Sequence, residues 1–98
     1  MGWIMKSILQ SEKVCYLTGS TYNLHRHHIY AGSRRSISER EGFWVWLTGY
    51  YHNQSNAGVH GKDGHELDWK LKQDCQRKYE ETHSREEFIR LIGKNYLD

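Results

Sequence analysis

The run FWVWL at residues 43–47 constrains the fold of this chain most, because it is the strongest strand signal in the 98 residues. Aromatic and β-branched side chains are enriched in strands. EKVCYL at residues 12–17 also reads as a short strand, and TGST at 18–21 has the composition of a turn. LHRHHIY at residues 24–30 is then the returning strand. The first half of the chain therefore predicts a small antiparallel sheet.

The second half predicts two helices. Asp63 and Glu66 have the spacing of a capping box, and apolar side chains recur every four residues after them, which indicates an amphipathic helix to about residue 82 with Leu67, Leu71, Cys75 and Tyr79 inward. Ser84 and Glu87 open a shorter helix closed by Gly93, with Phe88, Leu91 and Ile92 inward. The polar segment 31–42 predicts a loop, and 48–64 is irregular or only briefly helical. The fold class expected is α+β.

Composition predicts one domain, residues 1–98, with a modest core. Only 37% of the residues are apolar, yet 13% are aromatic, so a few large side chains must build that core. A net charge of +2 is too small to indicate nucleic-acid binding by itself. Cys15 and Cys75 are far apart and read as buried free thiols in a reducing compartment. With no long apolar stretch, we expect a cytoplasmic protein without membrane contact.

Three histidines fall within LHRHHIY, where successive side chains of a strand point to opposite faces. His25 and His27 share one face, whereas His28 lies on the other with Arg26. The neighbours His27 and His28 therefore cannot clamp one metal ion by themselves. Their separation suits a site in which one ring holds a metal and the other handles a proton, with partners supplied by the rest of the chain.

The order of these features resembles the HNH, or ββα-metal, family of endonucleases. The pair His27-His28 is followed by Ile29, a loop with Gly and Arg, the apolar strand that ends at Leu47, and then His52. The resemblance covers residues 12–61 and is closest to the small HNH-type proteins of bacteriophages, whose C-terminal part is also helical. It implies a β-hairpin/ββα-metal (HNH-like) core at 12–61, followed by C-terminal helices at 63–98.

The resemblance also implies roles for individual residues. His27 and His52 would be metal ligands, His28 the general base, and His60 the first choice for a third ligand. Asn53 and Asn56 are orienting residues or alternative ligands through a carbonyl oxygen. The implied cofactor is one divalent ion, Mg²⁺ or Mn²⁺, while imidazole ligands also suit Ni²⁺, Co²⁺ and Zn²⁺.

The implied reaction is hydrolysis of DNA phosphodiester bonds, in which an imidazole of ordinary pKa near 6.5 is suited to take a proton from water at neutral pH. Arg34 and Arg35 follow the histidine strand, where a DNA phosphate would approach, although such a pair is also common in a solvated loop. His25, His65 and His83 we interpret as ordinary surface or core histidines.

Many members of the family carry a zinc knuckle of two cysteine pairs, and this chain departs from that pattern. Cys15 and Thr18 would form the first pair, and Thr48 and Tyr51 the second, so three of the four ligands are missing and no structural zinc is expected. The alternative function is therefore a catalytically degenerate HNH-like module that binds DNA or a host protein. The expected partner is DNA in a bacterial host cell, with a homodimer or a host protein as open alternatives.

Overall fold

The structure is a computed structural model, and it describes residues 5–98. It has an α+β fold, in which a two-stranded antiparallel sheet is combined with helices. The elements, in chain order, are β1 (Leu24–His28), α1 (Arg35–Glu41), β2 (Trp44–Thr48), α2 (Gly49–His52), α3 (His65–Tyr79) and α4 (Arg85–Ile92). A short 3-10 turn, Gly32–Arg34, leads into α1. No helix among residues 5–98 is long and apolar enough to cross a membrane.

The two strands confirm the predictions for residues 24–30 and 43–47, and they pair with each other, with His27 opposite Val45. The strand predicted at residues 12–17 is wrong. That segment is irregular and gives β2 a single backbone hydrogen bond, from Tyr16 N to Trp46 O at 2.8 Å. The side chain of Gln10 accepts from Trp46 N at 2.8 Å, so side chains take over the pairing that a third strand would provide at this edge.

The loop predicted for residues 31–42 is also wrong, because α1 occupies most of it. The buried hydroxyl of Ser38 fixes this helix to the end of β1: it donates to Tyr30 O at 2.7 Å and accepts from Tyr30 N at 3.2 Å. The helix ends at Gly42, whose φ of 78° lies in the left-handed region. Because this helix buries a serine and no apolar stripe, its composition is that of a loop, which explains the wrong prediction.

The two C-terminal helices confirm their predictions in most respects. In α3, Leu71, Cys75 and Tyr79 are buried, but the helix begins at His65 after Gly64, and no side chain caps it. The capping box predicted at Asp63 is therefore wrong, and the helix ends at Tyr79 rather than near residue 82. In α4, the capping box between Ser84 and Glu87 is present, and Gly93 ends the helix with a φ of 88°.

The core is aromatic, as the composition predicts. Phe43 packs edge-to-face against Tyr30 and Tyr79, with ring centroids 5.6 and 5.5 Å apart, and Phe88 lies 5.6 Å from Tyr30. These rings come from the ends of the strands and from the last two helices, and they join the two-stranded sheet to α3 and α4. The free cysteines Cys15 and Cys75 are both buried, as expected.

Candidate metal centre

Three histidines from different parts of the chain meet beside the sheet. Ring nitrogens of His27, His52 and His60 all lie within 4.8 Å of one another. The ring centroids are 5.4 Å apart for His27 and His52, 5.3 Å for His27 and His60, and 4.8 Å for His52 and His60. The structure thus brings together the three residues predicted as metal ligands, close enough to hold one ion.

Local backbone structure accounts for this meeting. Strand β2 continues directly into α2, a single turn whose last residue is His52. The chain then folds back, and His60 N donates to His52 O at 3.0 Å. The return is tight at Gly58, where a Cβ atom would lie only 2.7 Å from His52 O. Glycine at this position lets the loop approach α2 closely enough to place His60 beside His52.

The site is closed on one side and open on the other. His27 is 2% exposed, and its Nε2 atom is buried without a hydrogen-bond partner among residues 5–98. His60, in contrast, is exposed, and His52 is partly buried. A buried polar nitrogen without a partner is destabilising unless it is satisfied by another group. The donor set and this orphaned nitrogen therefore fit a metal ion that keeps open positions toward solvent.

The electrostatics of the site favour uncharged rings, which are the form that binds a metal. Burial lowers the pKa of His27 to about 3, and the neighbouring charges of His52 and His60 add to this effect. Burial, together with His60 and His25, lowers the pKa of His52 to about 4. Both imidazoles are neutral at pH 7, so a cation does not have to displace protons from them.

A fourth histidine lies at the site, although we interpreted it from the sequence as an ordinary surface or core histidine. Nδ1 of His25 lies 3.0 Å from Nδ1 of His52, with the rings nearly perpendicular. This contact engages Nδ1 of His52 and leaves its Nε2 available for a metal, as partners behind a ligand commonly do. The available signal was the position of His25 on the same strand face as His27.

His28 follows His27 on β1, and its ring lies outside the three-histidine cluster but close enough for its charge to act on His27 and His52. Its Nε2 lies 3.1 Å from Oε1 of Glu39 in α1, and 12% of its side chain is exposed. Burial and the charge of Arg35 lower the pKa of His28, against the opposite effect of Glu39. The neutral ring donates its Nε2 proton to Glu39, which leaves Nδ1 as the proton acceptor. Sequence reasoning missed Glu39 because it lies in the helix that was predicted as a loop.

The two predicted phosphate contacts have different surroundings. Arg34 donates from Nε to Ile92 O at 2.8 Å, and its guanidinium lies against Gly93, so it stabilises the end of α4. Arg35 is exposed at the start of α1, close enough to His28 for its charge to act on that ring. Of the pair, Arg35 is the residue placed to meet a phosphate beside His28. Phosphate binding by either residue stays a prediction.

The remaining candidates lie at the edge of the site or outside it. Asn53 and Asn56 are both exposed in the turns after α2, and Asn56 O accepts from Asp63 N at 2.7 Å. Their roles as orienting residues or alternative ligands stay predictions. His65 is exposed at the start of α3, and His83 stacks on Tyr79 with ring centroids 4.1 Å apart.

Comparison with known proteins adds no homologue: the chain matches no family model, no curated protein and no solved structure. The chemistry must therefore be inferred from the site itself. Three imidazoles with one exposed edge can hold a divalent cation. On the adjacent strand position, an imidazole oriented by a carboxylate can accept a proton.

Proposed function

We propose that the protein is a divalent-metal-dependent endonuclease of the HNH type that hydrolyses phosphodiester bonds in DNA. The observation that carries the proposal is the cluster of three ring nitrogens within 4.8 Å, from His27, His52 and His60, next to the His28–Glu39 pair. The order of these groups along two paired strands and a following helical turn agrees with the resemblance noted in the sequence. A histidine cluster without a neighbouring proton acceptor would support metal binding alone.

His27, His52 and His60 would hold the metal, with His25 orienting the ring of His52. A divalent cation bound there supplies positive charge that offsets the negative charge developing on phosphate oxygens. Three nitrogen ligands favour Mn²⁺, Co²⁺, Ni²⁺ or Zn²⁺ in affinity, whereas Mg²⁺ prefers oxygen ligands. We therefore expect activity with Mn²⁺ or Ni²⁺ to exceed activity with Mg²⁺ at equal concentration.

His28 would accept the proton of the attacking water at Nδ1. Burial and the charge of Arg35 lower the pKa of His28, which favours the neutral ring that can accept a proton. Glu39 holds the ring through Nε2 and stabilises the charge that the imidazole gains on protonation. Arg35, exposed beside this pair, would bind a phosphate oxygen and orient the substrate.

Plasmid cleavage tests the proposal, with Mg²⁺, Mn²⁺, Co²⁺, Ni²⁺ and Zn²⁺ added separately and EDTA as the blank. We expect His28→Ala to lower the cleavage rate roughly 10²-fold or more, the usual effect of losing a general base, while calorimetric metal binding is retained. His52→Ala should abolish both cleavage and metal binding. His65→Ala is the matched control, because His65 is exposed and outside the cluster, and it should retain both.

If the wild type cleaves DNA with none of these metals, the proposed endonuclease activity is wrong. If metal binding depends on His52 but no cleavage is found, the result favours the alternative function, a degenerate module that binds DNA or a host protein. Full activity of His28→Ala would leave the metal site in place but remove His28 from the reaction.

A further inference from the structure

A second concave site lies on the face of the two-stranded sheet opposite the three-histidine cluster. It is a cavity of about 610 Å³ between residues 6–13 and the outer face of the two strands. We call it the tryptophan pocket, and its principal lining residues are Lys6, Gln10, Lys13, Arg26, Trp44 and Trp46. Its volume lies within the ~300–1,000 Å³ common for pockets that bind small molecules.

Arg26 is held in this pocket by aromatic rings rather than by an acid. Its guanidinium carbon lies 4.7 Å from the ring centroid of Trp44 and 5.3 Å from that of Trp46. The two indoles are nearly perpendicular, with ring centroids 5.4 Å apart, and the guanidinium makes a cation–π contact with each of them. Nε of Arg26 is buried without a hydrogen-bond partner, and no carboxylate of residues 5–98 forms an ion pair with the side chain.

The charges around Arg26 are mostly positive. Lys13 places Nζ 4.7 Å from the centroid of Trp46, and Lys6 also lines the pocket, against one lining acid, Glu12. Guanidinium and ammonium groups held close together without acidic partners repel one another, and a bound anion relieves this repulsion. The guanidinium of Arg26, which forms no ion pair among residues 5–98 and lies beside two lysines, thus has the chemistry of an anion site.

The flat aromatic walls favour phosphate of a nucleic acid over carboxylate of an acidic peptide. Proteins that bind single strands combine cations for the backbone with aromatic side chains for the bases. Trp46 is partly exposed at the pocket, whereas Trp44 is largely buried and serves to position Arg26. An acidic peptide offers the anion but no planar ring to stack.

We propose that the tryptophan pocket binds a phosphate group of a nucleic-acid strand, with Arg26 as its main ligand and Lys13 as a second one. On β1, Arg26 and His28 point to the same face and are separated by two residues, or roughly 6.8 Å along a strand. This separation is similar to that of successive phosphates on one strand. The pocket would therefore hold the phosphate next to the one at His28, an assignment that rests on the proposed function.

Fluorescence anisotropy with a short fluorescein-labelled single-stranded DNA, in low salt with EDTA, tests the pocket without cleavage. We expect Arg26→Met, which keeps the stem packed on the indoles, to weaken binding roughly 10- to 100-fold, as loss of charged hydrogen bonds does. Lys13→Met tests the same pocket from an exposed residue outside the sheet and should weaken binding less. Arg90→Met is the control that removes one exposed charge from α4, and it should change affinity less than about threefold.

Competition distinguishes the sources of the phosphate. We expect unlabelled DNA to displace the probe far better than AMP or inorganic phosphate, because only a strand also reaches His28 and Arg35. Competition by AMP that equals that of DNA and depends on Arg26 would support the phosphate site but assign it to a free nucleotide. Binding of polyglutamate that depends on Arg26, without DNA binding, would overturn the proposal in favour of an acidic protein partner.

Failure of the pocket and failure of the nuclease are separate results. If the wild type cleaves DNA but neither Arg26→Met nor Lys13→Met weakens binding, the pocket proposal is wrong and the nuclease stands. If binding depends on Arg26 and no metal supports cleavage, the phosphate site stands and the nuclease is wrong. If circular dichroism shows that Arg26→Met does not fold, Arg26→Lys replaces it, because lysine keeps the charge and removes the planar guanidinium. Unchanged DNA affinity for both Arg26→Lys and Lys13→Met would then overturn the proposal.

Discussion

The imidazole of His27 is 2% exposed in the folded protein, whereas in the unfolded chain it meets water and titrates near its ordinary pKa of 6.5. Its folded pKa is depressed to about 3, mainly by burial. Between these two values the unfolded chain binds a proton that the folded chain does not bind. The free energy of unfolding is therefore highest above the unfolded pKa and falls as the pH drops below it.

Without metal, this linkage predicts that His27 alone removes roughly 2 kcal/mol of stability between about pH 7 and about pH 5. The figure depends on the unfolded pKa and not on the folded value, provided that the latter stays well below 5. Urea unfolding in EDTA at several pH values measures it. His27→Phe, which fills the space without a titrating group, should flatten the slope relative to the wild type, whereas His65→Ala should not. If the free energy of unfolding depends on pH equally in the wild type and in His27→Phe, then His27 gains its proton in the folded protein.

At the scale of the elements, α1 ends at a close backbone approach. Gly42 ends the helix with a φ of 78°, and a Cβ atom there would overlap the carbonyl oxygen of Lys6. Gly19 provides the matched control, since its φ of 77° is the same but nothing lies within 4 Å of its Cβ position. Alanine at either site should lose about 1–2 kcal/mol from the left-handed conformation.

Gly42→Ala should therefore destabilise the protein by at least about 1 kcal/mol more than Gly19→Ala, because only Gly42 also has the clash. Urea unfolding of the two variants gives the difference directly. Equal destabilisation would mean that residues 6–8 move away from α1 without loss, and that this contact does not hold the N-terminal segment in place.

Elements with a clear apolar period were predictable from the sequence, and those held by polar contacts were not. FWVWL and the spacing of Leu71, Cys75 and Tyr79 gave β2 and α3 correctly, because burial of apolar side chains determines both. Helix α1 has no such stripe and is fixed by Ser38, whose hydroxyl contacts the backbone of Tyr30 across the turn before the helix. The edge of β2 is likewise covered by Gln10, and no local pattern indicates that choice over a third strand.

The residues of the candidate site also divide into those that the sequence predicted and those that it did not. His27, His52 and His60 were predicted as ligands from their order relative to the strands, and they meet. Glu39 and His25 were missed, since each acts through one side-chain contact that only the folded chain creates. Arg26 was noted only as a neighbour of His28, because its pairing with Trp44 and Trp46 depends on the register of two strands.

In the whole molecule, the aromatic core and the histidine cluster lie in different places. The rings of Tyr30, Phe43, Tyr79 and Phe88 join the two-stranded sheet to the C-terminal helices, whereas the three clustered histidines come from β1, α2 and the loop after it. We therefore expect these parts of the chain to fold together without a metal. Cys15 lies outside the three-histidine group, and folding without a structural zinc stays a prediction.

The protein in EDTA should keep its helical circular dichroism, and metal should then raise its stability. At a free metal concentration of 100 times Kd, binding adds about 2.7 kcal/mol to the free energy of unfolding, which corresponds to an increase in Tm of roughly 11–22 °C for a domain of this size. Thermal melts with and without Ni²⁺ or Zn²⁺ measure the shift. His52→Ala should lose it, whereas His65→Ala and Cys15→Ser should keep it. Unfolding of the wild type by EDTA alone would instead assign the histidine cluster a structural role, because its metal would then supply folding free energy that the aromatic core lacks.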